Sequence, residues 1–280
     1  MTLPEAGPPE HDTGSSDDHY HLDVPIDGSP NCHATAFVYY GKRTTNGVAG
    51  APTEAGEPPR VYKPLIIVEG FTPRPEGIRE LYAKANQSGT VDRMRGLGYD
   101  VVLLDLQDPQ RPIQENAQSV TRCIEESMRS ARAPLVVAGI SMGGLVARFA
   151  LAQMEAQDQP HFTRIYLSID TPHRGAYTSL AVQWFARRLA SDIPALAGMV
   201  ALLDSVANQQ FLVHCLTDGD ARESPERERF LRELQTWGEY PSRPPLLAIA
   251  SRRGDGGREL HAPQLGVTLR NGSIGDVVLW

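Results

Sequence analysis

From residue 61 onward, short apolar runs alternate with segments in which apolar residues recur every three or four positions. The continuous runs are typical of strands buried on both faces, and they cover residues 61–69, 99–106, 134–140, 164–169 and 245–250. The periodic segments between them predict helices over residues 76–86, 90–97, 113–131 and 144–156. This alternation predicts an α/β fold, with a mostly parallel, doubly wound sheet and helices on both faces.

The segment 175–240 interrupts this alternation. Its pattern is helical and unusually apolar, and it lies between the fourth and the fifth predicted strands. Ligands of parallel sheets bind beyond the carboxyl ends of the strands, and so we expect a helical cap inserted over that edge, at about residues 175–240. The alternative is a set of ordinary helices packed on the sheet.

The first 30 residues differ in composition from the rest. They are acidic and rich in Pro, Gly and Ser, without a continuous apolar stretch, and we therefore predict a disordered tail over residues 1–30. One domain then covers residues 31–280, with further strand candidates at 34–40 and 266–270. The tail has neither the basic start nor the apolar centre of a secretory signal, so a cytoplasmic location is the default expectation.

The charge balance and the apolar runs exclude several classes of protein. The 280 residues carry a net charge of −7 without a basic block, so we expect no nucleic-acid partner. No apolar run approaches the roughly 18 residues of a membrane-spanning helix, so we expect no transmembrane segment. The three cysteines are far apart and no HExxH pattern occurs, so we expect no disulfide framework, no metal and no cofactor.

The sequence Gly139-Ile140-Ser141-Met142-Gly143 carries the candidate chemistry. A GxSxG pattern is informative when a strand precedes it and a helix follows it, and both are predicted here. The serine then sits on a sharp turn that holds its hydroxyl above the sheet, and such a turn leaves no room for side chains at positions 139 and 143. The pattern indicates a nucleophilic Ser141, with the N–H of Met142 at a helix N-terminus that favours negative charge.

Three segments of the chain resemble the α/β-hydrolase family, in particular its bacterial lipase and esterase branch. They are GISMGGLVARFAL at 139–151, LSIDTPHRGA at 167–176 and VEGF at 68–71. The resemblance implies the α/β-hydrolase fold, an ester-cleaving serine enzyme, and an oxyanion hole formed by the N–H groups of Met142 and Phe71. The family usually has His-Gly where this chain has Glu69-Gly70, and a carboxylate there opposes oxyanion formation unless it turns away or is paired.

A nucleophilic serine requires a base, and the base requires an orienting acid. Asp170, directly after the fourth predicted strand, and Asp255, in the polar loop after the fifth, are the two candidates for the acid. We prefer Asp170 because the end of a strand positions a carboxylate better than a flexible loop does. Its alternative role is to cap the helix that follows.

His261 is the candidate base, since it follows the fifth predicted strand. We expect a structural role for His173, in the TPHRG turn, and a packed position on a cap helix for His214. The sequence stops on the apolar, strand-like segment 276–280, and natural domains seldom stop on a core strand. This suggests a second hypothesis, in which the chain is a truncated fragment and the catalytic histidine follows Trp280.

The sequence therefore predicts a serine esterase or lipase that acts on a small-molecule acyl ester. A catalytically inactive binding scaffold with the same fold is the alternative from another class, and a thioesterase, amidase or acyltransferase would use the same catalytic triad. The apolar cap favours recognition of an acyl chain. Its candidate acyl-contacting residues are Trp184, Phe185, Leu189 and Met199.

Overall fold

A computed structural model describes residues 18–26, 29–42, 60–217, 219–250, 267–271 and 275–279. Its strands are β1 (Asp18–Ile26), β2 (Ser29–Tyr39), β3 (Pro64–Val68), β4 (Asp100–Leu106), β5 (Leu135–Ile140), β6 (Thr163–Ile169), β7 (Cys215–Thr217), β8 (Asp220–Arg222), β9 (Leu246–Ile249), β10 (Val267–Asn271) and β11 (Gly275–Leu279). Its helices are α1 (Gly77–Ala85), α2 (Thr90–Gly96), α3 (Ile113–Met128), α4 (Met142–Ala156), α5 (Leu180–Leu189), α6 (Pro194–Asp204), α7 (Val206–Phe211) and α8 (Pro225–Thr236).

Seven strands form the main sheet in the order β1-β2-β4-β3-β5-β6-β9. The five strands from β4 to β9 are parallel to one another, whereas β2 pairs antiparallel with both β1 and β4. The mostly parallel sheet that the alternating pattern predicts is therefore confirmed. Because parallel strands end at the same edge, the residues after β3, β5 and β6 lie side by side.

Two hydrophobic cores cover the two faces of this sheet. Successive strand residues point to opposite faces, so Ile66 and Val102 belong to the core beneath α3 and α4, whereas Leu65 and Val101 belong to the core beneath α1 and α2. The strands β3 and β4 are buried along their whole length. This burial on both faces explains why their sequences are continuously apolar.

The prediction of a disordered tail over residues 1–30 is wrong where the structure describes that segment. Residues 18–26 form β1, which continues the sheet beside β2. Apolar residues occur at every second position of β1, at Tyr20, Leu22, Val24 and Ile26, and this period of two is the strand signal that the acidic composition masked. Residues 1–17 lie outside the described part of the chain.

The segment 175–240 contains both of the arrangements that its sequence left open. Helix α8 packs on α4, with the rings of Phe149 and Phe230 stacked at 6.1 Å, so it covers the sheet as an ordinary helix does. Helices α5 and α6 contact each other, and exposed apolar residues lie on α5, at Trp184 and Phe185, and directly before α6, at Ile193. Within this segment, the elements with the character of an insertion are thus α5 to α7 and the short hairpin β7–β8.

The described parts of the strand candidate at 266–270 and of the strand-like segment at 276–280 lie in a hairpin. The strands β10 and β11 pair antiparallel in a two-stranded sheet of their own. Within the described residues, the main sheet ends at β9.

Candidate active site

Ser141 occupies the turn between β5 and α4 in a backbone conformation that is strained for a residue other than glycine. Its φ is +53° and its ψ is −125°. The Ser141 N–H donates to the carbonyl oxygen of Ile169 at the end of β6, at 2.8 Å. The turn is thus held to the neighbouring strand, and the half-buried serine lies at the carboxyl edge of the sheet.

Three glycines around Ser141 are required by close backbone contacts. A Cβ on Gly139 would lie 2.4 Å from the Gly144 backbone, and a Cβ on Gly143 would lie 2.0 Å from the carbonyl oxygen of Glu69. A Cβ on Gly144 would lie 1.9 Å from the hydroxyl of Thr171, which follows β6. The first residues of helix α4 therefore pack tightly between the ends of β3 and β6. This close packing explains why the GxSxGG sequence has glycines at these positions.

The loop after β3 lies directly against the serine. A Cβ on Gly70 would lie 3.1 Å from the Ser141 Cβ, and the next residue, Phe71, packs its ring edge-on against Phe211 of α7 at 5.6 Å. Among the described residues, neither the Phe71 N–H nor the Met142 N–H has a hydrogen-bond acceptor. The Met142 donor is therefore next to the serine in the chain, and the Phe71 donor follows the glycine that lies against the serine.

The Glu69 carboxyl group is buried, and it faces β4. Its Oε1 accepts from the Leu106 N–H at 2.5 Å, and the side chain of Asp105, the residue before Leu106, lies near the same carboxyl group. Burial, with the nearby Asp105 carboxylate as a second cause, raises the pKa of Glu69 to about 10. The carboxyl group is therefore both paired and neutral near pH 7, which removes the repulsion that an ionised Glu69 would exert on an oxyanion.

Asp105 is a residue of this site that the sequence analysis missed. It is buried in β4, and burial raises its pKa above the ordinary range of an aspartate. The sequence signal for Asp105 was its place between apolar residues of the run DVVLLDL. A strand buried on both faces buries such a carboxyl group, and a buried charge requires a partner.

Asp170 lies at the same edge of the sheet as Ser141. It follows β6 directly, with φ +47°, and its N–H donates to the carbonyl oxygen of Ile249 at 2.8 Å. Ile169, the residue before it, accepts from the Ser141 N–H, so only one strand spacing separates the two positions. The side chain of Asp170 is exposed. The other candidate acid, Asp255, lies outside the described residues.

The described histidines have partners other than Ser141. His173 Nε2 lies 2.7 Å from the Ser168 hydroxyl, and burial beside Arg148 lowers the pKa of His173 to about 4. His214 is exposed directly before β7, outside any helix, and its ring contacts Tyr177. The prediction of a packed histidine on a cap helix is therefore wrong. In the part of the chain with described side chains, no imidazole bonds to the Ser141 hydroxyl, and His261 lies outside that part.

The structure does not bring the four predicted acyl-contacting residues together in a buried pocket. Trp184 and Phe185 on α5 are 56% and 52% exposed. Leu189 is partly exposed at the end of the same helix, and Met199 of α6 packs against the hydrophobic core. A helical pattern places apolar residues on a face, but it does not show whether another element covers that face.

The sheet order and the serine at the turn from β5 to α4 together define an α/β-hydrolase fold. No protein-family profile and no curated protein matches the sequence. Among solved structures, the chain is similar to the mature form of the Bacillus licheniformis lipase BlEst2, with 17% identity, a TM-score of 0.42, and coverage of 76% of this chain and 70% of that one.

Two other solved structures show a comparable degree of similarity. One is Est1E from Butyrivibrio proteoclasticus, with 14% identity, a TM-score of 0.39, and coverage of 82% of this chain and 76% of that one. The other is EstE1, a thermostable carboxylesterase cloned from a metagenomic library, with 13% identity, a TM-score of 0.40, and coverage of 85% and 81%. Of the helices in the described residues, none has the length and apolar character needed to cross a bilayer.

Proposed function

We propose that the protein is a serine hydrolase that cleaves carboxylic esters through an acyl-enzyme formed on Ser141. The observation that supports this most strongly is the backbone of Ser141, which has φ +53° at the start of α4 and three surrounding glycines without room for a Cβ. Such a conformation costs of the order of 1–3 kcal/mol and persists where the surrounding structure enforces it. A reason to hold one hydroxyl at the sheet edge in this way is nucleophilic attack.

The proposed reaction follows from the groups around this hydroxyl. The Ser141 Oγ attacks the ester carbonyl, and the carbonyl oxygen acquires negative charge as the tetrahedral intermediate forms. The N–H groups of Phe71 and Met142, which have no acceptor among the described residues, donate to that oxygen. The base transfers the serine proton to the departing alkoxide, and water then hydrolyses the acyl-enzyme.

The catalytic acid is tested by replacing each candidate with its amide. We expect Asp170→Asn to lower kcat for a short p-nitrophenyl ester on the order of 10⁴-fold, since an amide leaves the base histidine in the wrong tautomer. Asp255→Asn is then expected to retain activity, and His261→Gln tests the base in the same assay. Full activity of D170N together with loss in D255N would assign the acid to the loop after β9 instead.

An inactive binding scaffold with the same fold remains the second candidate. The observation that favours it is that no imidazole within the described side chains bonds to Ser141. A fluorophosphonate probe separates the two functions, because it labels an activated serine. Labelling mapped to Ser141 by peptide mass analysis supports the hydrolase, whereas an unlabelled protein that binds a fatty acid supports the scaffold. Parallel ester, thioester and amide substrates then distinguish the hydrolase classes.

The exposed residues of α5 suggest an acyl-binding role, which chain-length dependence tests. If Trp184 and Phe185 contact the acyl chain, each buried methylene contributes about 0.8 kcal/mol, so kcat/KM rises about fourfold per methylene. Trp184→Ser with Phe185→Ser is expected to flatten this rise and to remove any activation at a lipid–water interface. Leu97→Ser, which changes a similarly exposed residue after α2, serves as the control. Equal activity on short and long esters would indicate a plain esterase without acyl contacts.

A further inference from the structure

The segment from Gly70 to Glu76 connects β3 to α1 and carries the Phe71 N–H. We name this segment the oxyanion loop, in accordance with the proposed function. At its start, the buried side chain of Glu69 is fixed to the end of β4 through the Leu106 N–H. At its end, the Asp105 Oδ2 accepts from the backbone N–H of Gly77, the first residue of α1, at 3.1 Å. Each end of the loop is therefore tied to β4 by a carboxyl group.

The two carboxyl groups that tie the loop are buried close to each other. Glu69 is 2% exposed and Asp105 is 1% exposed. Among the described residues, neither the Glu69 Oε2 nor the Asp105 Oδ1 has a hydrogen-bond partner, and a bond between the two groups would satisfy both oxygens. A hydrogen bond between two carboxyl groups requires one proton between them, because two carboxylates both lack a donor. Burial raises the pKa of both groups, to about 10 for Glu69, so Glu69 carries the proton near pH 7.

The position of the pair connects it to the serine. The backbone carbonyl of Glu69 lies over Gly143 at the start of α4, so closely that a Cβ there would be 2.0 Å from its oxygen. Gly70, the next residue, lies against Ser141 itself. A displacement of Glu69 would therefore move the Phe71 N–H relative to the Ser141 hydroxyl, and an error of about 1 Å in such a site costs on the order of 100-fold in rate.

We propose that Glu69 and Asp105 are positioning residues for ester hydrolysis, acting as a proton-sharing carboxyl pair that clamps both ends of the oxyanion loop. This role rests on the proposed function, since it concerns the same serine. The shared proton has two consequences. It keeps the net charge of the pair at one rather than two, and it supplies the hydrogen bond that joins the two ends of the loop.

The shared proton is the main feature of the pair that changes with pH, given the other groups that face it. Glu76, at the start of α1, contributes a further negative charge and forms an ion pair with Lys84. Gln107 donates to the Asp105 Oδ2 at 3.4 Å, and Thr35 is opposite Asp105 on β2; neither titrates. Raising the pH removes the proton and leaves two buried carboxylates in contact, which opposes the folded loop.

Two substitutions of Glu69 separate positioning from simple packing. Gln is the matched replacement, because its carbonyl oxygen accepts from Leu106 and its N–H₂ donates to Asp105 in place of the shared proton. We expect Glu69→Gln to retain kcat within about threefold, and Glu69→Ala to lower kcat by about 10- to 100-fold with KM little changed. Asp100→Asn is the control, since Asp100 is equally buried in β4 but binds Gly41 and Tyr62 at the opposite edge of the sheet. It should destabilise the fold without changing kcat.

The pH dependence of unfolding tests the shared proton without any activity assay. The folded protein keeps a proton on Glu69 up to a pKa of about 10, whereas an unfolded glutamate loses it near 4.5. The stabilisation is therefore complete below about pH 4.5 and declines as the pH rises through 10. Between pH 6 and 9, unfolding of the wild type releases this proton, so its unfolding equilibrium constant should rise by up to about tenfold for each pH unit. The constant of E69Q should lack this rise. Chemical denaturation at each pH measures both.

The outcomes distinguish this proposal from the proposed function. Wild-type protein that neither reacts with a fluorophosphonate nor cleaves esters would overturn the hydrolase and, with it, the positioning role. A labelled, active wild type whose E69A variant keeps full kcat overturns the positioning role alone, as does an E69Q variant that loses as much kcat as E69A. Equal pH slopes of unfolding for wild type and E69Q overturn the shared proton.

Discussion

Ser141→Ala is expected to abolish both fluorophosphonate labelling and ester turnover, with a loss of kcat on the order of 10⁴–10⁶-fold. Removal of the Oγ leaves the backbone donors in place but removes the atom that forms the acyl-enzyme. The fold should persist, because an alanine fits the same turn and, among the described residues, the hydroxyl has no hydrogen-bond partner. Labelling by gel fluorescence and turnover of p-nitrophenyl butyrate measure the two effects.

Ser168→Ala is the matched control for this prediction. Ser168 lies on the neighbouring strand β6, and His173 Nε2 is 2.7 Å from its hydroxyl. Like a catalytic serine it has a histidine partner, but it does not lie at the turn from β5 to α4. It is 1% exposed, which keeps it out of reach of a substrate. We expect S168A to be labelled and active with a loss of about 1 kcal/mol in stability. A labelled S141A protein, or a probe adduct on Ser168, would contradict the assignment of the nucleophile.

Gly143→Ala is expected to have a large effect on both stability and activity. Its methyl group would lie 2.0 Å and 2.4 Å from the carbonyl oxygens of Glu69 and Val68, and backbone atoms of a buried strand cannot rotate away as a side chain can. Helix α4 or the end of β3 must therefore move, at a cost of about 1–3 kcal/mol. We expect turnover to fall at least about 100-fold, because the shift separates Ser141 from the Phe71 N–H.

Gly198→Ala provides the comparison within the same chain. Gly198 lies inside α6, and no atom lies within 4 Å of the Cβ that would be added there. The substitution should raise the free energy of unfolding by about 1 kcal/mol, since alanine favours the helix. Thermal denaturation and kcat, measured on both variants, test the pair. If G143A matches the wild type in both, the close contact between α4 and the end of β3 is not required for the site.

The sheet could be predicted from sequence because its central strands are buried on both faces. Burial on two faces demands a continuous apolar run, which a local window detects, and this is why β3 to β6 were placed within a few residues. The strand β1 was missed because its apolar residues alternate within an acidic, Pro-rich composition. Its pairing with β2 decides its conformation, and composition carries no information about pairing.

The candidate site was predictable to a different extent at each residue. Ser141 has a local signature, because the turn needs glycines at fixed offsets in the chain. The role of Glu69 had no such signature. Its sequence position suggested a charge beside the oxyanion, whereas the structure buries the group against β4, where burial raises its pKa to about 10. The exposure of Trp184 and Phe185 likewise depends on which elements lie above α5.

The sequence by itself thus determined the layered architecture and the serine at the strand-to-helix turn, because both depend on the spacing of residues that are close together in the chain. The tertiary structure alone decided that Glu69 meets Asp105 and the Leu106 N–H, which is 37 positions away in the chain. The reason is physical: strand order selects which ends become neighbours, and only then does burial decide which carboxyl group keeps its proton. A polar residue in a sequence shows its chemical type, but its charge depends on the partners that folding provides.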